Sequence, residues 1–439
     1  MASALENYVT NVRKLSSAEK YRELADYLND TVELLTKNWS ILDNVLETLD
    51  SQEHSLGVLY VVIAKFNSVS QNSNVDASTL VLLFKDFVTE CNVTQVRYAV
   101  HAFYDLCHQF TNFVVDKQFC LQGVQYLAKA IKKIRMSETQ LTPVHADLCQ
   151  LSLKAKSMTC AVTFLDIDIA TISTGLETRA STATDTNLDS KYFLLYYYYG
   201  GMIYTAIKRY ERALYFFEVC ISTPALAMSH IMLEAYKKFI LVSLIVNGCL
   251  LQIPKYATQV VGRYLKPLSP AYHELVVAYG TTYMDEFRSV ISKSSETFVR
   301  DKNMGLVQQV AESLYKQNIK RLTKTFLTVS LTDIANRVQL PSAAEAEKFL
   351  VKMISAGEIF ALIDQKEGMV EFREDSEKYN SEDMFLKIQQ DIAHTNRLLN
   401  KITEMEEEIE LNPLYLKKFI TIQDDDSQPA KPFSSDPTD

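Results

Sequence analysis

The sequence predicts a mostly α-helical chain, in which a solenoid of stacked helical hairpins precedes a small α+β module and a long C-terminal helix. Glycine and proline are scarce, 11 and 10 among 439 residues, which favours long helices over tight turns. Apolar residues recur with a helical period through most of the chain, as at Leu24, Leu28, Val32 and Leu35. Residues 321–373 depart from this pattern, because alternating apolar and polar residues there predict short strands.

The composition excludes several classes of protein. Apolar residues make up 47% of the chain and charged residues 23%, so a large core can be buried. The net charge of −9 disfavours general binding to nucleic acid or to an anionic membrane. The longest apolar runs, such as Phe239–Val246, are far shorter than the roughly 20 residues of a membrane span. The N-terminal sequence lacks a signal-peptide pattern, and the seven cysteines form no CxxC pair, so we expect buried, reduced thiols in a cytosolic or nuclear protein.

Helices separated by two polar loops are predicted for the first part of the chain. Helical periodicity runs from the N-terminus to about Phe66 and resumes over residues 79–135 and 141–160. Residues 67–78 (NSVSQNSNVDAS) are polar and predict a loop. Residues 171–190 are rich in Ser, Thr and Asp and contain almost no apolar side chains, so we expect a flexible, exposed insertion there.

The clearest repeat lies at residues 191–225, which fit the tetratricopeptide (TPR) pattern of two closely packed antiparallel helices. Gly200 and Gly201 would let the two helices approach, while Tyr204 and Phe217 would fill the space between them, with a turn at residues 208–210. The matching residues are Tyr197, Gly200, Gly201, Tyr204, Ala213, Phe217 and Pro224. Further helices are predicted over residues 228–247, 268–280, 284–298 and 303–319. Because such hairpins cannot bury both faces alone, we predict a TPR-like helical-repeat solenoid over residues 1–300.

Residues 301–375 predict a winged helix, a small α+β module with the order strand, helix, helix, hairpin. The predicted elements are a strand at Phe326–Leu331, helices at Thr332–Val338 and 343–356, and strands at Glu358–Ile363 and Gly368–Phe372. Ser342 offers an N-cap to the second helix, and Gly357 ends it. A polar turn at residues 364–367 joins the last two strands.

A winged helix can bind DNA through its second helix, or it can serve as a docking block. Seven acidic and seven basic residues lie between Arg321 and Arg373, without the basic excess that phosphate binding needs. The exposed edge of a small sheet can instead be extended by a neighbouring chain. We therefore predict a protein contact at this sheet, made by Phe360, Ile363, Val370 and Phe372.

A long helix is predicted over residues 381–410, within a C-terminal segment that we assign to residues 376–412. Apolar residues follow the alternating spacing of three and four that forms a heptad seam, and the other faces are polar. The helix could fold back onto the winged helix, but its length favours a bundle with helices of partner chains. The predicted contacts are Ile388, Ile392, Leu399, Ile402, Met405 and Ile409, after Phe385 at the start of the seam.

The remaining residues, 413–439, predict an acidic disordered tail. Ser427, Ser434 and Ser435 lie near acidic residues and could be kinase sites. A purely solubilising role is the other interpretation of the tail, and we favour it.

The sequence contains none of the motifs that carry common enzyme chemistry. No two histidines are spaced as His-x-His, and HExxH, P-loop, GxGxxG and GxSxG motifs are absent. His101 and His108 could share a helix face near Cys107, and Asp166 and Asp168 could form a carboxylate pair, but interior or surface positions explain all of them. We therefore predict no catalytic residue, no metal site and no cofactor.

Several long stretches of the sequence resemble members of the PCI-domain family, which supplies scaffold subunits to the proteasome lid, the COP-nine signalosome and a translation initiation factor. The stretches are EHSLGVLYVV (Glu53–Val62), HADLCQLSLKAK (His145–Lys156), YYYYGGMIYTAIKRYERALYFFE (Tyr196–Glu218), SHIMLEAYKKFILVSL (Ser229–Leu244), RLTKTFLTVSL (Arg321–Leu331) and GEIFALIDQKEGMVEF (Gly357–Phe372). They are most similar to the signalosome members. The resemblance covers nearly the whole chain, and residues 171–190 and the C-terminal tail match least.

The resemblance implies a non-catalytic scaffold subunit of a complex that removes the ubiquitin-like protein NEDD from cullins and so regulates cullin-RING ubiquitin ligases. It implies that the zinc isopeptidase is a different subunit and that this chain needs no cofactor. It implies partners among the other PCI and MPN subunits, with winged helices edge to edge and C-terminal helices in a bundle. It also implies a location in cytoplasm and nucleus, without a membrane.

Three alternatives remain open from the sequence. A proteasome-lid scaffold would share the fold but not the quoted stretches. A winged-helix nucleic-acid-binding protein would show a steep dependence of affinity on salt. An unrecognised hydrolase would show turnover by this chain alone.

Overall fold

The computed structural model describes residues 2–69, 77–169, 171–172, 190–225, 227–373 and 381–417. They form two compact units. The first takes its residues from Met1–Thr325 and Thr332–Phe349, and the second from Phe326–Leu331 and Leu350–Asp439. Each unit is described by itself below.

The first unit begins with helices that share one continuous core, from Leu5 to Phe164. Aromatic rings fill its centre: Phe84 and Phe110 stack with ring centroids 3.8 Å apart, and Phe66 meets Phe113 edge-on. The helices are Ala2–Ser17, Tyr21–Lys37, Leu42–Thr48, Ser55–Val69, Ala77–Glu90, Val93–Val96, Val100–Lys117, Cys120–Ile134, Val144–Ala155 and Thr159–Leu165, with 3₁₀ turns at Trp39–Ile41 and Arg97–Ala99.

The two predicted loops are only partly correct. The helix Ser55–Val69 runs into the predicted loop at 67–78, and the next helix already begins at Ala77; residues 70–76 lie outside the described residues. Ser68 fits inside the helix because its buried hydroxyl donates a hydrogen bond to the carbonyl of Lys65. In the predicted insertion, Thr171–Ile172 forms a short strand parallel to Gln140–Leu141, while residues 173–189 are not described.

The predicted repeat is confirmed as a helical hairpin, Ser190–Ala206 and Tyr210–Ser222. A Cβ atom added to Gly200 would lie 2.6 Å from the ring of Phe216, and one added to Gly201 would lie 2.6 Å from the ring of Phe217. The two glycines therefore set how closely the helices approach, as the repeat pattern predicts. Tyr204 and Phe217 are fully buried between the helices.

The later helices of this unit are His230–Asn247, Gln259–Leu268, Pro270–Thr281, Met284–Lys293, Ser295–Arg300 and Met304–Thr323. Two features differ from the prediction. The single helix expected at 284–298 is broken at Ser294. The helix Gln259–Leu268 was not predicted, because it contains Gly262 and Pro267, which are poor helix formers.

The second unit contains a three-stranded antiparallel sheet made of Thr328–Ser330, Ala361–Asp364 and Met369–Phe372, with the last strand in the centre. The helices Leu331–Val338 and Ala343–Ser355 each have residues in both units. Along the chain the order is strand, helix, helix, hairpin, which confirms the predicted winged helix. Residues 358–360 do not join the first hairpin strand, which begins at Ala361.

The predicted helix boundaries of this module are confirmed by their caps. The Ser342 hydroxyl accepts a hydrogen bond from the Glu345 amide, 3.3 Å away, and Gly357 adopts a left-handed φ of 69°, which favours glycine at a helix end. The long helix Glu382–Glu410 has 29 residues. Its first turn is capped by Ser381, whose hydroxyl accepts from the Met384 amide at 3.3 Å.

Candidate interaction surfaces

The long helix Glu382–Glu410 carries an apolar stripe along its whole length. None of its side chains is buried, and Ile392, Leu399 and Ile402 are each more than half exposed, at 57%, 60% and 59%. The stripe consists of Phe385, Ile388, Ile392, Leu399, Ile402, Met405 and Ile409. At 1.5 Å per residue the helix spans about 43 Å. Exposure of the stripe favours a bundle with partner helices over the fold-back interpretation.

The heptad spacing arranges the stripe in two parallel rows. Phe385, Ile392 and Leu399 form one row, and Ile388, Ile402 and Ile409 belong to the neighbouring row. Each of these side chains would gain roughly 1.5–3 kcal/mol on full transfer from water to an apolar contact. A surface of this length and continuity is typical of helices that pack against partner helices.

The sheet offers a second surface, the free edge of the strand Ala361–Asp364. The Arg373 amide donates to the Phe360 carbonyl at 2.8 Å. Because hydrogen-bonded pairs alternate along an antiparallel ladder, Leu362 also faces the central strand, opposite Glu371. The amide and carbonyl groups of Ala361 and Ile363 therefore point away from the sheet. An added strand could pair with them.

Two of the four predicted sheet contacts are wrong. Val370 and Phe372 lie on the central strand and are only 0% and 7% exposed, so their side chains belong to the core of this chain. Phe360, which immediately precedes the edge strand, is exposed, and Ile363 within that strand is half-buried. Strand alternation predicts which residues share a face, but it does not say which face is buried.

The outer face of the sheet holds the residues that the sequence did not single out. Leu362 and Met369 are 49% and 36% exposed, and the cross-strand register places Thr328 and Leu362 on either side of Glu371. These residues line a shallow depression on the sheet with those of the hairpin turn. The residues of this face alternate along the central strand with the buried Val370 and Phe372. This alternation identifies the outer face once the buried face is known.

The second helix of the winged helix, Ala343–Ser355, exposes both acidic and basic side chains. Its exposed positions include Glu345 as well as Lys348 and Lys352. Phosphate groups are bound by surfaces with a clear excess of basic side chains. The arrangement therefore does not favour the nucleic-acid alternative.

Of the two histidines considered in the sequence analysis, His101 is exposed and His108 is partly buried. Nδ1 of His108 lies 3.1 Å from Oδ1 of Asp147; this hydrogen bond raises the pKa of His108, whereas burial raises the pKa of Asp147. Burial also lowers the pKa of His145 to about 4. Over the residues that the structure describes, no three His, Cys, Asp or Glu side chains converge as a metal site would require.

Asp166 and Asp168 have different surroundings. Asp166 accepts a hydrogen bond from the Tyr204 hydroxyl and lies 3.5 Å and 3.8 Å from Arg209 and Arg212. Asp168 is exposed. The Asp166 carboxylate thus connects the segment before the TPR-like hairpin to the hairpin itself.

The seven cysteines are all free thiols, and the expectation that they are buried holds only in part. Cys91, Cys107, Cys149 and Cys220 are buried, whereas Cys160 and Cys249 are exposed. Burial raises the pKa of Cys220 to about 12, so this thiol is not a nucleophile at neutral pH. None of the described helices is both long enough and apolar enough to cross a membrane.

Comparisons with known proteins agree with this architecture. The family of N-terminal helical repeats of COP9 signalosome complex subunit 3 matches residues 18–261, and the PCI domain family matches residues 281–374. The chain is 58% identical to COP9 signalosome complex subunit 3 of Drosophila melanogaster, over the full length of both chains. It is 36% identical to the protein of the same name from Arabidopsis thaliana, over 95% of this chain and 94% of the relative.

Proposed function

Because this chain belongs to the COP9 signalosome subunit 3 family, we propose that it acts as a non-catalytic scaffold whose C-terminal helix joins a bundle with helices of other subunits. The observation that carries the proposal is the stripe of the helix Glu382–Glu410, which is exposed from end to end. Leaving such a stripe in water is unfavourable, so a covering partner stabilises both helices.

The free edge of the strand Ala361–Asp364 supports a second contact. We propose that a strand of a neighbouring PCI subunit pairs with the outward amide and carbonyl groups of Ala361 and Ile363. Phe360 and Leu362, both exposed, would pack on the incoming strand. Main-chain pairing supplies affinity, and the side chains at the edge supply specificity.

The chemistry of the complex is proposed to lie elsewhere. The complex would remove NEDD from cullins and so regulate cullin-RING ligases, with the zinc isopeptidase supplied by an MPN subunit and the cullin-RING ligase contacted indirectly. We propose that this chain works in nucleus and cytoplasm. Its share of the function is to hold other subunits, with the helical repeats over residues 1–300, the winged helix over 301–375 and the bundling helix over 376–412.

The proposal is tested by replacing Ile392, Leu399 and Ile402 together with Asp in the full chain. Three carboxylates in a covered seam would each cost several kcal/mol, so we expect loss of co-purification with the other signalosome subunits. The matched control replaces Gln390, Ala393 and Asn400 with Asp, since these residues lie on the opposite side of the same helix. The control should assemble normally.

Recovery of the isopeptidase subunit with the wild-type chain, and its loss with the seam variant, would support the proposal. Equal recovery with the wild type and the seam variant would rule out the bundle. Recovery of proteasome ATPases instead would favour the proteasome-lid alternative.

A further inference from the structure

The apolar stripe of the long helix contains one carboxylate. Glu406 follows Leu399 with the seven-residue spacing of a heptad and therefore lies in the row of Phe385, Ile392 and Leu399. Ile402 and Ile409 flank it on the same face of the helix, and all three side chains are exposed. A helix that covers the stripe must therefore also cover Glu406.

The helix itself offers this carboxylate no cation. The residues three or four positions from Glu406, which are its neighbours on the helix surface, are Ile402, Thr403, Ile409 and Glu410. The last turn contains no basic residue, and the helix C-terminus carries partial negative charge of its own. Within the described part of the chain, Glu406 forms no ion pair.

A carboxylate that is removed from water without a cation is strongly destabilising, whereas a carboxylate paired across a helix seam is tolerated and specifies the partner. We propose that the partner helix that covers this stripe presents a basic side chain, arginine by preference, to Glu406. Arginine suits the site because its planar guanidinium is weakly hydrated and can bind both carboxylate oxygens. The proposal rests on the proposed function, since it requires that a helix of another subunit covers the stripe.

The same residue opposes pairing of the helix with a second copy of itself. A parallel, in-register pair would place Glu406 opposite Glu406, surrounded by the acidic side chains of Glu407, Glu408 and Glu410. Like charges in a seam suppress the wrong partner. Glu406 is thus a specificity residue, which selects a basic partner helix and excludes self-association.

The test uses the full chain, co-expressed with the other signalosome subunits and recovered through a tag on this chain. Glu406→Lys should reduce recovery of the partner subunits at least about tenfold, because two basic side chains would then face each other. The nearly isosteric Glu406→Gln should reduce recovery less and should make it less sensitive to salt. The control is Glu404→Lys, on the opposite side of the helix, which should assemble like the wild type.

A second measurement examines the variant Glu406→Leu, which removes the charge from the seam. Purified alone, this variant should self-associate at a concentration at least about tenfold below that of the wild type, as followed by analytical ultracentrifugation. Normal recovery of partners with Glu406→Lys, or unchanged self-association of Glu406→Leu, would overturn the inference.

The two proposals can fail separately. If the triple Asp variant of the seam loses its partners while Glu406→Lys keeps them, the bundle stands and the role of Glu406 falls. If both variants assemble normally, the bundle falls as well. Circular dichroism of each variant checks that the helical content is unchanged. A loss of recovered partner subunits can then be attributed to the interface and not to unfolding.

Discussion

Nζ of Lys237 lies 2.8 Å from Oδ2 of Asp301, and this ion pair connects the helix His230–Asn247 to the turn that precedes Met304–Thr323. Both side chains are less than 10% exposed. Lys237 also binds Glu234 at 2.6 Å, and the Tyr272 hydroxyl donates to Asp301 at 3.0 Å. Residue 237 falls in the helical-repeat match and residue 301 in the PCI match, so the pair links the two sequence families inside one compact unit.

Removing one partner of this pair should destabilise the first unit. Asp301→Asn removes one of the two carboxylates that bind the buried Lys237 ammonium and leaves Glu234. We expect the free energy of unfolding to fall by about 2–4 kcal/mol. Urea unfolding followed by circular dichroism measures the change. The matched control is Arg300→Ala, because Arg300 lies 3.6 Å from Asp301 but is 76% exposed, and exposed pairs contribute at most about 1 kcal/mol. Equal effects of the two substitutions would contradict the assignment.

The pH dependence of the same pair follows from the direction of the two pKa shifts. Burial acts to raise the pKa of Asp301, but hydrogen bonds from Lys237 and Tyr272 lower it below its ordinary value of 3.8. Burial acts to lower the pKa of Lys237, but its bonds to Asp301 and Glu234 raise it above its ordinary value of 10.5. The stabilisation by the Lys237–Asp301 pair is therefore complete between these two ordinary pKa values. It is lost as the pH falls through the lowered pKa of Asp301 or rises through the raised pKa of Lys237.

We expect the difference in unfolding free energy between wild type and Asp301→Asn to be constant from about pH 5 to pH 9 and to shrink below about pH 4. Urea titrations across this range measure it. A difference that grows on acidification would have the wrong sign for a carboxylate with a lowered pKa. Arg300→Ala, measured over the same pH range, shows how much the unfolding free energy changes when an exposed charge is removed.

The close approach of the TPR-like helices gives a prediction about packing. Gly201→Ala would place a methyl group within 2.6 Å of the Phe217 ring, and we expect a loss of about 1–3 kcal/mol from overpacking. Gly305→Ala is the control, because no atom lies within 4 Å of a Cβ added there and alanine is the better helix former. The control should therefore be neutral or stabilising. Thermal unfolding of both variants measures the effect; a stable Gly201→Ala variant would mean that the hairpin can separate.

These cases show what can be predicted from the sequence and what cannot. Gly200, Gly201, Tyr204 and Phe217 were predicted as a packed hairpin because the repeat pattern contains both sides of the contact. The cap at Ser342 was predicted for a similar reason, since a cap depends on residues within one turn. The Lys237–Asp301 pair depends on helices that are distant in the sequence, and no local pattern signals it.

The candidate site was predicted less completely than the fold. The stripe of the long helix was found because its period is regular, and its exposure agrees with that pattern. Val370 and Phe372 were misplaced because alternation gives the period of a strand but not which face is buried. Glu406 was not predicted as part of the seam, because the apolar Met405 precedes it directly. The seven-residue spacing from Leu399 shows that the carboxylate lies inside the seam.

The free edge of the sheet gives the last prediction, which separates the fold of this chain from its assembly. Ala361→Pro removes an amide that points away from the sheet, whereas Leu362→Pro removes one that faces the central strand. Proline is tolerated on an edge strand where its nitrogen faces outward. We therefore expect Ala361→Pro to keep its melting temperature within a few degrees of the wild type and to lose the neighbouring PCI subunit in co-purification. Leu362→Pro should lower the melting temperature itself, because it breaks a hydrogen bond of the chain's own sheet.

Normal recovery of all subunits with Ala361→Pro would show that this edge is not paired in the complex, and would leave the long helix as the principal contact.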